Sequence, residues 1–182
     1  MKSISKWLVA TMASVVLAGT ATAADAIVGG EVKAVHADKK EFVMHSDATG
    51  KDVTVKIGDD VIINRGGKEG KSDLKAGDTV NVCHDNGTFT WTAHYVLVRT
   101  GDTKDCVLRH GSVKSYTPET KQLLITDESG KDATFTMGDA KVRLNKEESK
   151  IGDIKIGDKF LVIVETPKGE KENLKCLMVS RK

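Results

Sequence analysis

Imidazole groups have the widest chemical range of any side chains in this 182-residue sequence. Four of the five histidines lie in the first half, at His36, His45, His84 and His94, and Met44 directly precedes one of them. Imidazole nitrogen combined with sulfur suits copper and zinc, so these four histidines and Met44 are candidate metal ligands. No two histidines have H-x-H or H-x-x-x-H spacing, so the spacing favours at most a weak site.

The sequence has three cysteines, which can form at most one intramolecular disulfide. Cys83 lies on the polar phase of its segment and Cys106 lies in a polar linker, so we expect these two thiols to pair. Cys176 is in phase with the apolar residues around it, which favours a buried, unreactive thiol. The sequence contains neither C-x-x-C nor C-x-x-C-H, so we expect no redox motif, no attached haem and no cofactor.

Aspartate occurs in a repeated ten-residue motif, DLKAGDTVNV in the first half and DIKIGDKFLV in the second. A catalytic aspartate would need a partner acid, base or metal ligand, and the motif supplies none. Gly77 and Gly157 permit a tight turn, and the carboxylates of Asp78 and Asp158 can accept hydrogen bonds from nearby backbone N–H groups. We interpret all four residues as structural. Nucleophile-elbow, phosphate-loop and zinc-protease motifs are absent from the sequence, so we expect no enzymatic activity.

Three aromatic residues, Phe89, Trp91 and Tyr95, lie close together in the first half. They are candidates for a ligand-contact patch, since aromatic side chains combine a large apolar area with polar tips. The alternative is that they pack the hairpin that contains them.

The first 23 residues have the pattern of a signal peptide: Lys2 and Lys6, an apolar run, and a small-residue cleavage site at Ala21–Ala23. The run is short for a membrane span, so we expect export to the periplasm or the medium with no retained membrane anchor. Two of the 28 basic residues lie in this segment, which leaves 26 against 26 acidic ones. Because the two signs are interspersed and no basic stripe carries aromatic residues, nucleic acid is not an expected partner.

The two halves align at a spacing of about 80 residues, and most identities are at Gly and Asp. This spacing predicts a tandem repeat of small domains at 27–100 and 107–181, joined by a linker at 101–106. The histidines of the first half have no counterparts in the second, and we place His110 in the linker. The fold therefore does not require these imidazoles, which favours a role as ligands.

Alternation of apolar and polar residues predicts five short strands in each half, as at Val53–Ile57 and Ala133–Met137. Convincing amphipathic helices are absent from the sequence after the signal. Five short strands that close on themselves predict an all-β protein made of two tandem five-stranded OB-like small β-barrels.

Both halves resemble secreted bacterial OB-like domains of uncharacterised function. The residues that carry this resemblance are 32–35, 50–51 and 74–80 in the first half, and 113, 130–131 and 154–160 in the second. The first half is also similar, more distantly, to the periplasmic copper and silver chaperone barrel, since the segment ending in Met44 and His45 corresponds to a strand that carries a ligand histidine. The Trp-x-x-Met-x-Met segment of that family is absent here.

These observations lead to two hypotheses for function. The first is an exported, non-enzymatic binding or scaffold module whose partner is an envelope protein, a peptide or a glycan. The alternative is a periplasmic protein that binds copper or zinc through the histidines of the first half.

Overall fold

The structure, a computed structural model, describes residues 25–71, 73–85, 90–166 and 172–181. Within these ranges the chain is all-β, and its only helical elements are 3-10 turns at Ala37–Lys39, Gly101–Thr103 and Ile151–Asp153. None of the described helical elements has the length and apolar character to cross a membrane. The predicted signal peptide and Phe89 lie outside the described residues.

The first half forms a closed barrel of five strands. The six strands of its sheet have the order β2-β1-β5-β6-β3-β4, and the ring closes because β2 also pairs with β3. Their bounds are β1 Asp25–His36, β2 Glu41–Ser46, β3 Lys51–Arg65, β4 Lys68–Gly70, β5 Thr79–Asp85 and β6 Trp91–Val98. The long strand β3 completes the ring, since it pairs with β2 through residues 51–56 and with β6 through residues on both sides of a bulge at Ile57–Ile62.

The second half forms a seven-stranded sheet with the order β11-β10-β13-β12-β7-β8-β9. Its strands are β7 Cys106–Thr117, β8 Gln122–Asp127, β9 Asp132–Thr136, β10 Lys141–Leu144, β11 Glu147–Glu148, β12 Lys159–Glu165 and β13 Asn173–Ser180. This sheet is not closed, so the predicted second barrel is not shown. His110, which the sequence placed in the linker, lies within β7.

The second sheet stays open because the stretch that aligns with β3 is divided into β9 and β10. Between them the Ala140 N–H donates to the Met137 carbonyl at 2.8 Å, and Gly138 has a φ of +46°. A turn therefore replaces the continuous strand that closes the first barrel. Phe135 and Val142, from the two sides of this turn, still contribute to one core.

Two aligned glycines allow close strand contact at the start of each hairpin. A Cβ on Gly30 would lie 2.2 Å from the His45 carbonyl oxygen, and one on Gly111 would lie 2.2 Å from that of Thr126. Real Cβ atoms do not approach an oxygen this closely, so any side chain here would push the paired strands apart.

A third apolar cluster joins the two halves. Its buried members come from β5 and β6 on one side and from β7, β12 and β13 on the other: Cys83, Tyr95, Leu97, Cys106, Leu108, Ile163 and Cys176. Polar contacts surround it, since the Asn81 side-chain oxygen accepts from the Leu108 N–H at 3.3 Å and Arg143 forms an ion pair with Glu69. The two sheets therefore pack against each other through their outer faces.

Candidate functional site at the mouth of the first barrel

The predicted ligands of the first hairpin point in different directions. In the ladder between β1 and β2, His36 pairs with Glu41, while His45 pairs with Glu31. The two histidines are therefore separated by four to five residues along the paired strands, or roughly 14–17 Å. Met44 is fully buried in the barrel core. The neighbouring His45 must face away from it, because successive strand residues alternate between faces.

The second histidine pair is also separated. His84 is 2% exposed and its ring stacks on Trp91 with centroids 4.2 Å apart. His94 is exposed, and its Nε2 lies 3.9 Å from an Asp25 carboxylate oxygen. Among the described residues, no group of three or more His, Cys, Asp or Glu side chains is placed to hold a metal ion. The four histidines predicted as ligands are therefore not brought together.

The predicted aromatic patch is not formed by its two described members. A bulge shifts the ladder between β5 and β6 at Cys83 and His84. Because of this shift, Trp91 packs against the barrel core, whereas Tyr95 joins the cluster between the halves. Tyr95 is 3% exposed, and its hydroxyl accepts a hydrogen bond from the Asn64 side chain at 2.9 Å. Tyr95 is thus a buried interface residue and not a surface contact.

All three cysteines are buried free thiols, so the structure does not contain the predicted bond between Cys83 and Cys106. Both side chains contribute to the apolar cluster between the halves. Burial raises the pKa of the Cys83 thiol to about 12 and raises the pKa values of Cys106 and Cys176 as well. A thiol that stays protonated is a poor nucleophile and metal ligand, so the three groups act as apolar packing residues.

The repeated glycine and aspartate residues form equivalent turns. Gly77 and Gly157 have φ values of +88° and +86°. The Asp78 carboxylate accepts from the Lys75 N–H at 2.7 Å, and the Asp158 carboxylate accepts from the Lys155 N–H at 2.7 Å. Each carboxylate also pairs with an arginine, Arg65 for Asp78 and Arg181 for Asp158. These contacts fix the turn that leads into β5 or β12.

An open groove lies at one end of the first barrel, between the turn that follows β1, the bulge of β3 and the connection that leads to β5. We call this groove the first mouth. Its volume is about 280 Å³, and its lining residues are Val35, Ala37, Lys40, Ile57, Gly58, Asp59, Val61, Ile63, Lys71 and Leu74. Val61, Ile63 and Leu74 belong to the barrel core, so the floor of the groove is apolar.

Charged groups surround this apolar floor. The Lys40 ammonium donates to an Asp59 carboxylate oxygen at 2.8 Å, and the Lys71 ammonium donates to the Asp59 carbonyl oxygen at 3.3 Å. The Lys40 contact raises the pKa of that lysine and lowers the pKa of Asp59. The first mouth thus combines an apolar interior with a polar entrance, as ligand sites in barrel mouths commonly do.

The corresponding end of the second half is filled. The alignment of the halves places Tyr116 opposite Val35 and Ile151 opposite Lys71, and both of these larger or more apolar residues pack against the second core. The backbone supports this correspondence, because Lys40 and its aligned residue Lys121 have φ values of +50° and +52°. Sequence analysis missed the first mouth, although Val35 opposite Tyr116 was a visible signal.

No protein-family model and no curated protein sequence matches this chain. Among solved structures, the chain is similar in fold to CusF. The silver-bound CusF structure is 17% identical, covers 41% of this chain and 97% of its own length, and has a TM-score of 0.34. Apo-CusF from Escherichia coli is 18% identical over 42% of this chain and 92% of its own, with a TM-score of 0.33.

A further match extends over both halves. The tetrameric p202 HIN2 structure is 10% identical, covers 87% of this chain and 88% of its own length, and has a TM-score of 0.23. The closed five-stranded barrel of the first half agrees with the fold that the resemblance to the chaperone barrel implied. The silver and copper ions of the CusF structures belong to those proteins.

Proposed function

We propose that this protein is an exported, non-enzymatic binding module and that the first mouth is its ligand site. One observation carries the proposal: the first barrel has an open groove over its core, lined by the partly buried Val35 and Ile57, while at the aligned end of the second half Tyr116 and Ile151 pack against the core. Apolar surface left accessible in this way is a common feature of binding sites.

The second half has a different part in this proposal. Tyr116 and Ile151 complete its core, and its outer face packs against β5 and β6 of the first barrel. We infer that it is a scaffold that holds the first barrel and does not itself bind the ligand. Export is inferred from the signal-peptide pattern of residues 1–23. The tandem repeat is likewise a proposal that rests on the alignment of the two halves.

A neutral apolar probe tests this function. We expect 1-octanol, titrated into the purified protein and followed by methyl NMR, to shift the resonances of Val35, Ile57 and Leu74 in a saturable way. The variant Val35→Tyr copies the residue found in the second half and should abolish these shifts by filling the groove.

The matched control is Val107→Tyr, a change of the same kind at a partly buried position of the second half. It should leave the shifts in the first mouth in place. Octanol shifts that are absent from the first mouth, or that persist in Val35→Tyr, would show that the ligand site lies elsewhere.

A further inference from the structure

We infer that the first mouth selects an aliphatic carboxylate, with the chain on the apolar floor and the carboxylate beside the Lys71 ammonium. This inference rests on the proposed function and adds the chemical class of the ligand. The observation behind it is that one lysine beside the groove has no carboxylate partner among the described residues.

The acidic side chains near Lys71 each have another cationic partner. Asp59 pairs with Lys40 at 2.8 Å, Asp60 pairs with Lys146 at 3.5 Å, and Glu69 pairs with Arg143. Lys71 itself makes no ion pair with any described residue, and its ammonium contacts only the Asp59 carbonyl oxygen. The entrance therefore carries one positive charge without a matching carboxylate.

This unmatched charge occurs together with the open groove. Lys40 is aligned with Lys121, so an ammonium at that position is common to both halves. Lys71 is aligned with Ile151, so the second ammonium is present only in the half whose mouth is open. Lys71 and the open groove thus occur together in the first half and are both replaced in the second, as expected if both serve the same ligand.

Size and composition restrict the ligand further. The volume of about 280 Å³ lies just below the usual range for small-molecule sites, which favours a small or narrow ligand. The partly buried Val35 and Ile57 offer aliphatic surface above the buried side chains of the floor. A single unbranched chain of medium length, ending in an anion, satisfies both the volume and the charge.

Three probes of equal chain length test this selectivity: octanoate, 1-octanol and octylammonium, titrated into the purified protein at low salt and neutral pH. We expect octanoate to bind about two- to five-fold more tightly than octanol, since one exposed ion pair has an energy equivalent to such a factor. Octylammonium should bind less tightly than octanol because of repulsion by Lys71.

The variant Lys71→Ile, which copies the second half, should bind octanoate and octanol equally well, and Lys71→Gln serves if the isoleucine variant does not fold. Lys51→Ile removes an exposed ammonium outside the groove and should preserve the preference for octanoate.

Equal affinities for octanol and octanoate in the parent protein would overturn the carboxylate inference but leave the proposed function intact. Absence of binding by all three probes would overturn both, and a preference that survives removal of Lys71 would overturn the assignment of that residue.

Discussion

At the scale of single residues, the polar groups that looked most suitable for chemistry mainly hold the backbone in place. The Asp78 and Asp158 side chains are 12% and 8% exposed, and each is bound by a backbone N–H and an arginine. The hydrogen bond from Arg181 lowers the pKa of Asp158. The Asp158 carboxylate therefore stays ionised and is a poor proton donor near neutral pH.

Asp78→Ala and Asp158→Ala should each destabilise the protein by about 1–2 kcal/mol, because each removes a capping hydrogen bond and one ion pair with an arginine. Urea unfolding provides the measurement. Asp38→Ala, at an exposed position in a 3-10 turn, is the control and should change stability far less. Unchanged stability in both turn variants would show that these carboxylates are not structural.

The His110 side chain is 14% exposed and its Nδ1 lies 2.7 Å from the Glu128 carboxylate. Burial lowers the pKa of His110, and the positive charge of Lys159 lowers it further. The negative charges of Glu128, Asp25 and Asp127 raise this pKa, but the effect of burial is the largest. The unfolded chain therefore binds a proton at His110 more readily than the folded protein does. The contribution of this residue to stability is complete above about pH 6.5 and decreases as the pH falls through the folded-state pKa.

Accordingly, the melting temperature should fall between pH 7.5 and pH 5, and His110→Gln should reduce this fall. Thr54→Gln, at an exposed strand position without a titratable group, is the control and should leave the pH dependence as in the parent. Identical melting curves for His110→Gln and the parent at both pH values would contradict the assignment of this pH dependence to His110.

Metal binding by the histidines of the first half should be weak, with a dissociation constant no tighter than about micromolar. Tight sites need at least three converging ligands, whereas His36 and His45 lie far apart and His84 is buried against Trp91. Calorimetry with Cu(I), Cu(II) and Zn(II) provides the test. A nanomolar, stoichiometric site that is lost in His36→Ala or His45→Ala would favour the metal-binding alternative.

At the scale of elements, one continuous strand and its divided counterpart distinguish the two halves. The strand β3 spans the gap between β2 and β6, while β9 and β10 reach their neighbours on opposite edges of an open sheet. The first hairpin of each half does not depend on this strand. In both halves it depends on the same close contact, at Gly30 or at Gly111. Hairpin packing is thus common to the halves, and barrel closure is not.

Gly111→Ala should destabilise the protein by about 3 kcal/mol, at the upper end of overpacking penalties, because the new Cβ meets the Thr126 backbone that pairs with β7. The matched control is Gly152→Ala, where a Cβ meets nothing within 4 Å and the φ is not positive. Chemical denaturation compares the two variants. Equal stabilities would mean that the strands can separate at little cost.

At the scale of the whole molecule, the outer faces of the two sheets form one apolar cluster. Leu97 is fully buried in it, although it faces away from the core of its own barrel. The ion pair between Glu69 and Arg143 lies beside the cluster and links the same two halves. Stability of one half therefore depends on the presence of the other.

Leu97→Asp should lower the free energy of unfolding by at least about 3 kcal/mol, since it places an unpaired charge in a buried apolar cluster. Hydrogen exchange should show reduced protection in β12 and β13 as well as in β5 and β6. Thr54→Asp introduces the same charge at an exposed strand position and should have a far smaller effect. Loss of protection in the first sheet alone would indicate that the halves are not coupled.

The sequence by itself determined the strands, the hairpins and the turn chemistry, because these depend on residues close together in the chain. Alternation at Val53–Ile57 and the glycine-aspartate turns needed only local patterns. The tertiary structure alone decided which outer faces meet, which end of the first barrel is open and whether the second sheet closes. A bulge of one residue moved Tyr95 into the cluster between the halves, and a turn at Met137 separates β9 from β10 where the first barrel has the single strand β3. Such outcomes depend on packing between residues distant in the chain, which local periodicity does not encode.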